Sequence, residues 1–174
     1  MTSKNHLVVF LPQAPTNHLA YGQWKRRGFW GNWTAVASCS TGQYLVAGSW
    51  DDFLYTSDDF GSSWVQRTAS MRSSWVSVAS SSNGSVIIAA EASGYLHLSK
   101  DYGSRWSALT DGVWNYYLYQ SASQYWVAVA SSTNGSFLAA AGNEACIQVS
   151  QDRGSSWTPI AGTKDEWGTF TMDR

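Results

Sequence analysis

Nine residues of this chain have the types and the neighbours to hold a polyhydroxylated ligand: Trp50, Asp51 and Asp52 in one short segment, Trp114, Asn115, Tyr116, Tyr117 and Tyr119 in a second, and Glu144. Aromatic rings stack on the apolar faces of sugar rings, while Asp, Asn and Glu side chains bond hydroxyl groups. Two carboxyl groups facing each other across a cleft, roughly 5 to 9.5 Å apart, can also hydrolyse a glycosidic bond, and Asp51 or Asp52 with Glu144 is the pair available for that role. A second reading of the aromatic run stays open. Trp114 and the tyrosines can alternate along an extra strand that plugs a channel or covers a subunit interface, where Tyr and Trp are also favoured.

Other chemistries find little support. His6, His18 and His97 follow no zinc-type spacing and form no cluster with cysteine, so no metal and no cofactor is expected. Only 13% of residues are charged and the formal net charge is −1, which offers nothing for nucleic acid or an anionic membrane to recognise. The adjacent cations Lys25, Arg26 and Arg27 could hold a carboxylate or sulfate, but such groups on an exposed turn are usually just solvated. The apolar run from Leu7 to Leu11 is too short for a signal-peptide core or a membrane span, so a soluble chain is expected. Abundant Ser and Trp, and triplets of the glycosylation type at Asn32, Asn83 and Asn134, lean towards an exported or surface environment, although no targeting segment is visible. Asn83-Gly84 and Asn134-Gly135 read first as hairpin turns. Cys39 and Cys146 occupy unlike places, so no disulfide is expected between them.

The elements that must position these residues repeat with a period of about forty to fifty residues, the range of propellers and solenoids. Trp33, Trp75 and Trp126 each open a similar strand A: Trp33 to Ser38, Trp75 to Ser80 and Trp126 to Ser131. A polar turn follows, then strand B (Tyr44 to Ala47, Val86 to Ala89, Phe137 to Ala140) and strand C (Phe53 to Ser57, Tyr95 to Ser99, Ala145 to Ser150). Strand C runs into an eight-residue phrase found three times. Its fixed members are Ser57, Asp59, Gly61 and Trp64, then Ser99, Asp101, Gly103 and Trp106, then Ser150, Asp152, Gly154 and Trp157. Ser and Asp accept backbone N–H groups at a turn, Gly supplies a positive φ, and Trp anchors the returning strand D.

The phrase S-x-D-x-G-x-[S/R]-W resembles the Asp-box, the BNR-type repeat of a β-propeller group that includes sialidases, xyloglucan-active glycoside hydrolases, sortilin-type receptors and a photosystem II assembly factor. The resemblance implies an all-β propeller and leaves function open. It assigns the box aspartates to turn structure. The Arg-Ile-Pro phrase that carries the first substrate arginine in sialidases is absent, and Arg67, Arg72, Arg105 and Arg153 stand in other contexts.

A single domain over residues 1–174 is expected, with blade 1 at about 31–70, blade 2 at about 74–110, an inserted aromatic loop at 111–123 and blade 3 at about 125–161. Trp167 to Met172 resembles a strand A, and Asn5 to Leu11, Leu19 to Tyr21 and Gln23 to Lys25 then supply strands B, C and D of a fourth blade split between the termini. Pairing the two chain ends would leave no open sheet edge. The alternative is two chains joining into an eight-bladed ring. In a propeller the A–B and C–D turns share one face, and the B–C and D–A loops share the other. The boxes lie on the first face and the nine candidate residues on the second. The expected function is a non-enzymatic binding module, lectin-like or protein-recognising. A structural assembly protein that forms a homo-oligomer, such as a homodimer, comes next, and a glycosidase-related propeller last.

Overall fold

The structure, a computed structural model, describes residues 5–9, 25–109, 125–142, 147–160, 163–164 and 170–171. Twelve of its strands form three four-stranded antiparallel sheets, and no α-helix occurs among the described residues. The first sheet runs β3 (Trp33–Ser38), β4 (Leu45–Ser49), β5 (Leu54–Ser57), β6 (Val65–Arg67). The second contains β7 (Trp75–Ser80), β8 (Ile87–Glu91), β9 (Leu96–Ser99) and β10 (Ser107–Leu109), and the third β11 (Trp126–Ser131), β12 (Leu138–Gly142), β13 (Gln148–Ser150) and β14 (Thr158–Pro159). In each sheet sequence order equals spatial order, as expected for strands A to D of a propeller blade. Each strand D starts one residue after the box Trp. The outermost strand of the third sheet is only two residues long and contains Pro159, which blunts an edge by removing a donor.

The sheets stack through their faces. Val46 and Leu54 of the first pack on Trp75, Val78, Ile87 and Ala89 of the second. Ile88, Leu96 and Leu98 of the second pack on Trp126, Leu138, Ala140 and Trp157 of the third. Near the inner strands the A–B turns link in series: the Ser40 N–H donates to the Ser82 carbonyl at 2.8 Å, and the Ser82 N–H donates to that of Thr133 at 2.7 Å. At the two ends of the stack the equivalent positions are open. Val36 is 48% exposed whereas Val78 is 8% exposed, and Ala128 and Ala130 are exposed whereas Ala35 and Ala37 are partly covered.

The terminal segments pair differently from the sheet expected of a split blade. β1 (Asn5–Val9) pairs with β2 (Lys25–Gly31), and β15 (Thr163–Lys164) pairs with β16 (Phe170–Thr171). Lys25, Arg26 and Arg27 therefore sit in a strand and not in a connection. Pairing of neighbours in sequence closes a smaller loop, which costs less entropy than joining the two chain ends. Residues 19–24 and Trp167 lie outside the described residues. β2 leads directly into the first sheet, where the Phe29 ring stands edge-on to Trp33 and Tyr55, with centroids 5.3 and 5.0 Å away.

Candidate functional site on the loop face

The three boxes fold alike, which settles what their carboxylates do. In the first, the Ser57 hydroxyl accepts the Gly61 N–H at 2.8 Å and donates to Asp59 Oδ1 at 2.8 Å. Asp59 also accepts the Ser63 N–H at 2.8 Å and the Ser63 hydroxyl at 2.7 Å. Ser99 with Asp101, and Ser150 with Asp152, repeat the serine–aspartate contact at 2.9 and 2.8 Å. Gly103 and Gly154 adopt φ of +79° and +78°, and a Cβ on either would come within 2.6 Å of a neighbouring blade, against Thr56 and Leu98 respectively. These aspartates are turn acceptors.

Their titration reflects the same bonds. The Ser63 backbone N–H, followed by the Ser63 hydroxyl, holds Asp59 below the usual carboxylate range. Burial pushes Asp101 upwards, but the Arg105 N–H, the Ser99 hydroxyl and the Arg105 charge together outweigh it and leave the group lowered. The Ser156 hydroxyl and N–H, with the Ser150 hydroxyl, bring Asp152 down to about 2.

The hairpin turns of the box face are equally self-contained. Asn83 Oδ1 accepts the Ser85 N–H and Asn134 Oδ1 accepts the Ser136 N–H, both at 3.0 Å, so these two asparagines act as turn residues. The matching place in the first sheet holds Cys39, whose sulfur accepts the Tyr44 N–H at 3.2 Å, where Ser81 and Ser132 use a hydroxyl.

On the opposite face the first sheet carries the described candidates. Trp50 is 48% exposed, with its backbone N–H donating to the Asn32 carbonyl at 2.9 Å. Asp51 has a φ of +56° and its carboxylate lies 3.5 Å from the Arg72 guanidinium, whose Nε donates to the Asp51 carbonyl at 2.6 Å. Two backbone hydrogen bonds between Asp52 and Ser73, each 3.0 Å, lock the B–C loop to the D–A connection. Met71, next to Arg72 in the chain, is 68% exposed.

Asp52 behaves differently from Asp51. Its carboxylate accepts the Phe53 N–H at 2.9 Å and the Tyr55 hydroxyl at 3.1 Å, and Gln66 donates to that hydroxyl at 3.0 Å. Burial, followed by the bond to Asp52 and its charge, raises the Tyr55 pKa. Asp52 is thus spent on the sheet, which leaves Asp51 as the outward carboxylate. Glu144, Trp114, Asn115, Tyr116, Tyr117 and Tyr119 lie outside the described residues.

Met71, Arg72, Tyr55 and Gln66 are the residues that sequence reading did not single out. The face assignment puts Met71 and Arg72 on the same side as Asp51, but their meeting depends on the Asp52–Ser73 bridge, which has no counterpart in the repeat pattern. A second polar pair belongs to the middle sheet: His97 Nε2 lies 2.6 Å from Glu91 Oε1, with side chains 5% and 15% exposed, and the imidazole meets the Trp75 ring edge-on at 4.9 Å.

Residues 54–67 match the BNR-Asp box repeat. That stretch spans β5, the first box and β6, and the observed serine–aspartate–glycine bonding is its structural content. No curated protein matches the chain in sequence. Among solved structures it is similar to YCF48 from Cyanidioschyzon merolae, at 14% identity and a TM-score of 0.58, over 75% of this chain and 37% of that one. YCF48 bound to D1 peptide aligns at 13% identity and a TM-score of 0.59, over 92% of this chain and 44% of that one. A GH74 enzyme from Niastella koreensis aligns at 17% identity and 0.56, over 80% of this chain and 19% of the enzyme. At these identities the likeness is one of propeller fold, and the chain spans less than half the length of each neighbour.

Proposed function

We propose that this chain is a non-enzymatic binding module that recognises a protein segment through its B–C/D–A loop face. The observation that carries the reading is the exposed Asp51–Arg72 ion pair, each member of which has an exposed apolar side chain next to it in sequence, Trp50 and Met71. Trp, Met and Arg are the residue types enriched at protein interfaces, and apolar groups with a charged pair provide both contact area and orientation. The involvement of Asp52 with Tyr55 argues against a glycosidase pair built on that carboxylate. A structure of like fold, YCF48, binds D1 peptide, which accords with a peptide ligand at the level of fold alone.

The test is a synthetic peptide array probed with the chain and with its Trp50→Ala and Arg72→Ala forms. Spots that lose signal in both variants while the melting temperature is kept support the reading. Silence on every spot sinks it and favours the assembly alternative. That alternative draws on the open end of the stack at Ala128 and Ala130 and predicts a stable oligomer by light scattering.

Closure of the ring by a fourth blade is a separate proposal, drawn from the exposed Val36 at one end and Ala128 and Ala130 at the other, and the β1–β2 and β15–β16 pairs would have to supply that blade between them. A chain ending at Asp165 should then melt earlier than the full chain. An unchanged melting temperature would remove the split blade from consideration.

A further inference from the structure

The two seams between successive blades are built on the same positions but filled differently. In the first, Gly103 of the second box packs on Thr56; in the second, Gly154 of the third box packs on Leu98, and a Cβ on either glycine would come 2.6 Å from that side chain. The first seam is occupied by its own residues. Arg67 Nε donates to the Thr56 hydroxyl at 2.6 Å, which lays the arginine side chain across β5 and β6. The second seam has leucine at both places, Leu98 for Thr56 and Leu109 for Arg67. A crevice of about 420 Å³ opens there, within the range of small-ligand sites, and Ser107 and Gly154 share its wall with the two leucines.

A second difference concerns the box tryptophans. Trp64 and Trp106 donate their indole N–H to the Gly61 and Gly103 carbonyls at 3.2 and 3.0 Å, whereas Trp157 is 7% exposed and its Nε1 has no hydrogen-bond partner. Trp157 belongs with Leu98 to the buried cluster on which Leu109 packs. Buried donors are seldom left in that state. The second seam is thus one whose own residues leave both space and a donor unfilled.

Charge changes with the filling. Where the first seam has Asp58 and Ser63, the second has the exposed cations Lys100 and Arg105, both lining the crevice. Asp101 lines it too, but its Oδ1 is engaged by the Arg105 N–H at 2.8 Å and the Ser99 hydroxyl at 2.9 Å. Its Oδ2 lies 3.9 Å from Arg105 Nε, and the five-donor guanidinium keeps other N–H groups for an incoming acceptor. Asp152 is likewise turned onto its own box, and Arg153, next to Gly154 in the chain, is exposed. The surroundings are net positive above an apolar floor.

We infer that this crevice binds a medium-chain aliphatic carboxylate, its alkyl chain laid on Leu98 and Leu109 and its carboxylate held by Lys100 and Arg105. The alkyl chain takes the place that the Arg67 stem fills in the first seam. Methylene groups there leave water, and the carboxylate gains charge-assisted hydrogen bonds. The site is built on box residues and does not depend on the loop-face reading.

The experiment is isothermal titration of the folded full chain with sodium octanoate, acetate and octylammonium chloride, each below its micelle concentration. Octanoate should saturate at one per chain, with acetate and octylammonium at least tenfold weaker. Lys100→Gln with Arg105→Gln, both at exposed positions, should weaken octanoate at least tenfold and keep the parent melting temperature. Leu98→Thr with Leu109→Arg, which installs the pair of the first seam, should do the same if it folds. Trp50→Ala should bind octanoate as the parent does. Acetate equal to octanoate would reduce the site to its charges, and octylammonium equal to octanoate would reduce it to its leucines; either overturns the proposal. So does the lack of saturation by octanoate, or binding that survives the Lys100 and Arg105 changes.

Discussion

The indole N–H of Trp75 donates to the main-chain carbonyl of Asp52 at 2.9 Å, joining the first strand of one blade to the B–C loop of the blade before it. Trp126 makes the same bond to Gly94 at 3.2 Å. Each tryptophan therefore fills an inter-blade core and pins the loop above it. Trp75 is fully buried, so Trp75→Ala should cost about 3–5 kcal/mol, while Trp75→Phe, which keeps most of the ring but loses the donor, should cost about 1–2 kcal/mol. Urea unfolding of both variants checks this, and equal losses would deny the hydrogen bond any share. Because the bond holds the backbone beside Asp51, Trp75→Phe should also weaken peptide capture at Trp50.

In the second box the Ser99 hydroxyl accepts the buried Gly103 N–H at 2.9 Å. Ser99→Ala strands that donor in a site water does not reach, and the expected loss is about 1–3 kcal/mol. Ser104→Ala, in the same box but outside this contact, should stay within about 0.5 kcal/mol of the parent, the usual range for a surface change. Thermal melts of the two side by side distinguish box chemistry from a general intolerance of the turn.

Acid should unpick the boxes. Asp59, Asp101 and Asp152 are all lowered in the folded chain, Asp152 to about 2. A carboxyl with a lower pKa folded than unfolded adds stability that is complete above the unfolded value, near 4, and is lost as pH falls through the folded value. The melting temperature should thus hold from pH 7 to about 5 and decline from there towards pH 2. Asp152→Asn should flatten part of that decline. A variant whose acid profile overlays the parent would show that these bonds do not govern acid stability.

Glu91 and His97 are sealed beneath the loop face of the second blade, against Trp75. Removal of one partner leaves the other desolvated and unpaired, so Glu91→Ala should cost about 3 kcal/mol, and Glu91→Gln, which retains an acceptor, clearly less. Chemical denaturation resolves a difference of that size. If the alanine variant is as stable as the parent, the pair contributes nothing to the fold.

The repeat was legible in the sequence because two local rules write it there. Turn chemistry dictates Ser, Asp and Gly at set offsets in each box, and the strands around it alternate apolar and polar residues or run fully apolar, so Trp33 to Ser38, Trp75 to Ser80 and Trp126 to Ser131 emerged as strands with their observed bounds. The end segments carry no such redundancy. Asn5 to Val9 was recognisable as a strand, but its partner was not, because strand pairing depends on which backbone edge is nearest. The candidate site was half legible. Trp50 and Asp51 stood out as outward groups on a loop, whereas the difference between Asp51 and Asp52 did not.

The sequence by itself determined the turns, the strand order and the spacing of the tryptophans, all of which follow from contacts among residues close along the chain. The tertiary structure alone decided that Asp52 faces Tyr55, that Asp51 meets Arg72 across the Asp52–Ser73 bridge, and that Tyr44 and Tyr102 lie ring beside ring. Those partners are distant in sequence, and only the packing of one sheet face on the next brings them within a few ångströms.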